Sequence, residues 1–339
     1  MAYSQRVSRL NTKLGEDRGK GELELLRRIR ERASQGTRTG LSLGIGDDCA
    51  LLGLRAGEQA AVTTDLSIEG RHFRLDWHSP ESVGHRTLAR GLSDLAAMGA
   101  RPVAAFLSLG LPAGLTRARG RAKPWVERFY DGLLGLAEEY GVPLAGGDLA
   151  EAPLTVADIV LLGAVPHDLA LRRAGARAGD RLFVTGELGG AALGLAKLQA
   201  LGRTPKGHAP ELEKHLFPAP RVRQGLKLRG LATAAIDISD GIATDLDHLC
   251  KESRLGAEVW AETLPLATGA TIEQALYGGE DYELLFTAAE GTKIPRRIGG
   301  VAVTEIGRMR RSRRGRPRVA LRTENGVEEL VRRGWEHFA

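Results

Sequence analysis

Two mixed α/β layers of similar size, one per half of the chain, are the fold class this sequence predicts. Three observations carry that prediction. At 339 residues the chain is long for a single hydrophobic core. Strand-like and helix-like segments alternate along most of its length. A turn-rich stretch, HDLALRRAGARAGD, separates two such series. The expected division is a loose polar leader over residues 1–20, an N-terminal unit over 21–166 and a C-terminal unit over 167–339.

The elements follow in order. GELELLRRIRERA reads as an amphipathic helix with Leu25, Leu26 and Ile29 on one side. AAVTTD, from Ala60 to Asp65, predicts a strand, and ESVGHRTLARGLSDLAAMG a helix ending at Gly99. PVAAFLSLGLP predicts a strand closed by Pro112. KPWVERFYDGLLGLAEEYG is expected to be helical, with Pro124 early and Gly141 after it. VPLAGGD and the near-continuous apolar run TVADIVLLGAVP complete the first half as strands. Beyond Pro166, RLFVTGELGGAALGLAKLQALG reads as strand, glycine turn and helix. ATAAIDISDGIATDLDHLCKESRLGAEVWAE reads as strand, turn, helix and strand, with YGGEDYELLFTAA and VAVTEIGRM as further strands.

With 42% apolar and 27% charged residues, the composition is that of a globular protein rather than a disordered one. No stretch approaches eighteen uncharged apolar residues, and the polar start lacks the apolar core of a signal peptide. A cytoplasmic protein without a membrane span is therefore expected. Cys49 and Cys250 are too few for a disulfide framework and are expected to act as small apolar residues. The net charge of +6 suggests nucleic acid, but Arg308 to Arg318 alone holds seven arginines and no acid. Without that run the remainder is nearly neutral, so the basicity reads as a local, solvated loop or hairpin and argues against nucleic-acid binding.

One pattern recurs: a strand ends and the next turn carries aspartate. It appears in GIGDDCALL, VTTDLSIEGRHF, GLSDLAAMG, AGGDLAEAP, AIDISDGIATD and YGGEDYELLF. Each alone reads equally as a helix cap or turn residue. Together they place Asp48, Asp65, Asp94, Asp148, Asp237 and Asp240 where the active sites of α/β sheets gather. Crowded carboxylates must be protonated, paired or metal-bound. Mg²⁺ suits an all-oxygen set and implies phosphate chemistry, yet neither GxxxxGK[ST] nor the HRD…DFG set is present.

GIGDDCALL, TTDLSIEGRHF, LSDLAAMGARP, GGDLAEAP, RAGARAGDRLFVTGELG, IDISDGIATDLDHL, GGEDYELLFT and the terminal GWEHF, in this order, closely resemble the thiamine-monophosphate kinases. These belong to a wider superfamily similar to aminoimidazole ribonucleotide synthetase. The resemblance implies ATP-dependent phosphorylation of thiamine monophosphate to thiamine diphosphate, with ADP released. It also implies the superfamily's two-domain fold, in a homodimer that pairs its N-terminal sheets. Asp48, Thr63, Thr64, Asp65, Asp94, Asp148, Asp237 and Asp240 would then hold several Mg²⁺ ions. Tyr130, Gly147, Asp148, Arg173 and Ser239 would contact ATP, and His72, Glu280 and Trp335 the thiamine phosphate. Each of these last three also has a plain structural reading: His72 packing beside Phe73, Glu280 capping a turn, Trp335 filling core space. The leader before Gly21 and the Arg308–Arg318 run lie outside the resemblance. The nearest enzyme alternative is a superfamily ligase that activates an amide or formyl oxygen with ATP.

Overall fold

A computed structural model describes residues 25, 27–33, 40–45, 49–118, 120, 122–203, 210–312, 315 and 317–333. Residues 25 and 27–33 are helical, with Leu25 and Ile29 buried; Leu26 lies outside the described residues. A small ribbon, β1 (Leu41–Leu43) with β2 (Leu51–Leu52), precedes the first sheet. That sheet has four strands, β3 (Glu58–Ile68), β4 (Arg101–Leu111), β5 (Leu144–Glu151) and β6 (Val156–Pro166), in the order β3-β6-β4-β5. The β3–β6 and β6–β4 contacts are antiparallel and β4–β5 is parallel, and among the described residues β3 and β5 are the edges of the sheet.

Helices α1 (Pro80–Ala97) and α2 (Trp125–Tyr140) cover one face of this sheet. The Ser79 hydroxyl accepts the Ser82 N–H at 3.1 Å, and Pro80 follows it, so α1 starts where sequence chemistry places a start. Left-handed Gly141 ends α2. The two helices cross in backbone contact. A Cβ on Gly84 would lie 1.9 Å from the Phe129 carbonyl oxygen, and one on Gly132 would lie 1.9 Å from that of Glu81. Neither position can carry a side chain at this separation.

The second sheet runs β14-β13-β9-β12-β7-β10-β8. Its strands are β7 (Arg181–Thr185), β8 (Ala234–Asp237), β9 (Leu255–Trp260), β10 (Leu284–Ala288), β12 (Val301–Arg311), β13 (Val319–Thr323) and β14 (Gly326–Glu329), with short β11 (Arg297–Ile298) on β12. Helix α3 (Gly190–Leu201) follows β7, short helices α4 (Pro210–Leu216) and α5 (Val222–Leu228) follow it, and α6 (Ile242–Ser253) and α7 (Ile272–Tyr277) complete the set. One face packs under α6 through Ile236, Val184, Leu246 and Leu249. The other joins the first unit's core: Phe183 and Phe286 stack at 5.3 Å and belong to the same apolar cluster as Leu92 and Phe129. Helix α5 crosses α1 so closely that a Cβ on Gly225 would lie 2.0 Å from the Ala96 carbonyl oxygen.

Three expectations need correction. Gly278 to Glu283 is not strand; Glu280 and Tyr282 have φ of +67° and +51°, which a strand cannot accommodate, and β10 begins only at Leu284. The arginine run is not a hairpin, because β9 lies between β12 and β13, and its first arginines belong to β12 itself. Cys250 is buried as expected, whereas Cys49 is exposed. Among the described residues no helix is long and apolar enough to cross a membrane.

Candidate active site

Three carboxylates meet from three elements and both sheets. Alternation along β3 turns Thr63, Asp65 and Ser67 toward α1 and leaves Val62, Thr64 and Leu66 on the opposite, exposed face. The Thr63 hydroxyl donates to Asp94 Oδ2, on the last turn of α1. The neighbouring Ser93 hydroxyl donates at 2.6 Å to Oδ2 of Asp237, at the end of β8. Burial, reinforced by the charge of Asp94, pushes Asp65 up to about 6. Burial and the Asp94 charge push Asp237 up to about 7. Asp94 is itself raised by burial, against the lowering effects of Thr63, Arg173 and Arg90. Exposed Arg173 thus stands near Asp94 and Asp237, at the edge of the group.

The turn after β8 carries Ser239 and Asp240. Their backbone N–H groups donate to Asp245 Oδ2 at 3.1 and 3.0 Å. Asp245, buried on α6, is raised well above an ordinary carboxyl by its burial and by Asp237 and Asp240. It escaped the sequence reading, although it stands in the quoted AIDISDGIATD.

Two turns back along α1, at Arg86, the charges are balanced. Burial alone would raise Glu280, but the guanidinium of Arg86 holds its carboxyl down at about 2, assisted by His215 and Arg90. Arg86 Nη2 lies 2.6 Å from Glu280 Oε1, and His215 Nδ1 lies 3.7 Å from Oε2. Arg86 also donates to the backbone oxygen of His215 and, at 3.4 Å, to that of His72. His72 fixes its own loop by accepting the Ile68 N–H on Nδ1 at 3.0 Å. The rest of GGEDYE is equally committed. Asp281 accepts the N–H groups of Gly189 and Ala191 at 2.6 and 3.0 Å, closing the start of α3. Glu283 receives Arg221 and, at 2.7 Å, the Thr185 hydroxyl. Of these partners Arg86 had a readable signal, since Arg86, Arg90 and Asp94 recur at one-turn spacing on α1. His215 and Arg221 had none, because only the tertiary fold brings α4 and the turn before α5 here.

Not every predicted residue joins the cluster. The Thr64 side chain points away from it. Asp148 and Gly147 sit on β5, three strand spacings from β3, or about 14 Å along the sheet. Gly147 is required both by its φ of +146° and by packing, as a Cβ would lie 1.9 Å from the Leu107 carbonyl oxygen. Tyr130 is 4% exposed within the first core, against Phe129. Asp48 and Trp335 lie outside the described residues. Among the described residues no three Asp, Glu, His or Cys side chains already converge on a single metal position. A hollow of about 460 Å³ lies elsewhere, lined by Arg32, Asp131, Leu134 and Leu144, and it holds none of the predicted site residues.

Two family models match the chain: the AIR synthase related protein N-terminal domain over residues 46–165 and its C-terminal domain over 177–319. A thiamine-monophosphate kinase of Salmonella typhimurium is 40% identical over 303 residues, covering 85% of this chain and 90% of that protein. That of Escherichia coli K12 is 38% identical, covering 94% and 98%. A crystal structure of the thiamine-monophosphate kinase from Stenotrophomonas maltophilia superposes with a TM-score of 0.74 at 36% identity, over 87% of this chain and 94% of that one. AaThiL complexed with AMPPCP and TMP gives 0.72 at 29% identity, over 93% and 96%. A fold built from two AIR synthase related domains, its acidic cluster between them and relatives aligned over nearly the whole length lead to one assignment: the chain belongs to the thiamine-monophosphate kinase family.

Proposed function

We propose that this protein transfers the γ-phosphoryl group of ATP directly to thiamine monophosphate, giving thiamine diphosphate and ADP. The observation that carries the reading is the trio Asp65, Asp94 and Asp237, the last buried and the other two half-buried, whose crowding Arg90 and Arg173 offset only in part. Such a set suits a hard, oxygen-seeking ion such as Mg²⁺, which keeps several waters and needs only one or two carboxylates per ion. When bound, Mg²⁺ would neutralise charge between two anionic substrates. Asp65, Asp94, Asp237 and the Thr63 hydroxyl would hold it, with Asp240 beside them; the sequence resemblance adds Asp48 to this set. The acceptor needs no general base, because a phosphate monoester has a second pKa near ~6 and is already ionised at neutral pH. The protein's own contribution is alignment and charge placement. Arg173 and Ser239 face the nucleotide in this reading. His72 and Glu280 face the thiamine end in this reading, and the sequence resemblance assigns Trp335 to the same ligand, since a carboxylate and an aromatic ring suit a cationic thiazolium.

A homodimer completes the proposal. The outer face of the first sheet exposes Val62 at 65% and Leu66 at 45%, and both its edges are open among the described residues. Pairing with a second copy would cover that face and could bring one copy's Asp148 to the Thr64 side of the other. Enzyme, ATP, Mg²⁺ and thiamine monophosphate should release ADP, and thiamine as acceptor should not. ADP release with an amide or formyl acceptor instead would point to the ligase alternative and overturn the kinase reading.

A further inference from the structure

We propose that Arg90 anchors the phosphate monoester of the acceptor, a role that rests on the kinase reading above. Arg90 differs from every other arginine near the site. Its Nε is buried with no hydrogen-bond partner, and the nearest carboxylate oxygen, Asp65 Oδ1, is 3.6 Å away. Arg86, one turn earlier, is saturated by Glu280 and the His215 carbonyl. Burying a guanidinium donor without a partner is costly, so the geometry points to an acceptor that arrives with a ligand.

The position tells which ligand. Arg90 lies on α1 one turn from Asp94 on the acidic side and one turn from Arg86 on the Glu280 side, about 6 Å from each along the axis. With Ser67, His72, Arg86 and Thr87 it lines a cavity of about 10 Å³, room for one water or one phosphate oxygen. Its side chain as a whole is 18% exposed, so it is not sealed in the core. A planar guanidinium matches two phosphate oxygens at once. An anion held here would stand between the carboxylate trio and the residues proposed for the thiamine rings, where the accepting phosphate of thiamine monophosphate must lie. The competing role is a counterion for Asp65 alone.

Binding of thiamine monophosphate and of thiamine, which lacks the phosphate, separates the two roles. Both ligands are titrated with Mg²⁺ present into wild type, Arg90→Met and Arg90→Lys, and the Michaelis constants for ATP and acceptor are measured alongside. Arg90→Met should weaken thiamine monophosphate at least tenfold while thiamine binding and the ATP constant stay within twofold. Arg90→Lys keeps stem and charge and loses the fork, so it should show the same selective change at about threefold, including if the methionine variant fails to fold. Equal weakening of both ligands, or none, would overturn the role of Arg90. Wild type that turns over no thiamine monophosphate would instead overturn the kinase reading and this one with it.

Discussion

Helix α1 runs between two groups of largely covered acids that obey opposite rules. At its C-terminal end Asp65, Asp94 and Asp237 crowd one another, Arg90 and Arg173 offset that crowding only in part, and Asp65 and Asp237 are raised to about 6 and about 7. At its middle and start, Glu280 is held near 2 because Arg86 and His215 meet it. Burial is similar; partners differ. Carboxylates that the fold leaves uncompensated are available to an incoming cation, and those it saturates fix the positions of other elements.

The sharpest test of that contrast is Asp237→Asn. A carboxyl whose folded pKa is raised favours the native state fully only below its unfolded value near 3.8, and that contribution is lost as pH rises through about 7. Without divalent cations at pH 8, Asp237→Asn should therefore be more stable than wild type, on the order of 2–4 kcal/mol by denaturant titration. Its turnover should fall at least tenfold, about 1.4 kcal/mol of barrier. A variant less stable at pH 8 would show that the trio is already compensated.

Glu280→Gln should do the reverse. Its lowered folded pKa stabilises the protein above about 4.5, and that stability is lost as pH falls toward about 2. Removing its charge at pH 7 leaves Arg86 without its buried partner and should cost about 2–3 kcal/mol. The difference from wild type should shrink in acid; a constant difference would mean packing, not charge, is what Glu280 supplies. Asp281→Ala removes the acceptor of two N–H groups at the start of α3 and should cost about 1 kcal/mol in the same titration. The smallest effect is expected at Arg318→Gln. Arg318 pairs with Asp247 at 2.8 Å but is 44% exposed, so less than about 0.5 kcal/mol should be lost, with both Michaelis constants unchanged. A large loss of activity there would draw the arginine run into the site.

What could be read from the sequence divides along the same line. The helix ending at Gly99, the strand through Asp65 and the aspartates at strand ends are local signals, and the structure brings Asp65, Asp94 and Asp237 near one another. Alternation on β3 was equally readable, and it separates Thr64 from Thr63 and Asp65. Of the compensating partners only Arg86 was legible. His215 and Arg221 reach GGEDYE only through the crossing of α5 on α1 and the placement of α4, which no local period encodes. Nor did GGEDY betray its backbone: alternating residues suggested a strand, while two non-glycine left-handed positions turn it into a knot of contacts.

The glycine crossing of α1 on α2 fixes more than a distance. With backbone against backbone at Gly84 and Gly132, and again at Gly225 near the other end, α1 can neither roll about its axis nor slide along it. It is in effect a graduated ruler, with Arg86, Arg90 and Asp94 as marks spread over about 12 Å. One residue inserted between the marks would turn everything beyond it through about 100° and carry Asp94 off the cleft. Substitutions on this helix can therefore tune the site, whereas a change in its length would dismantle it.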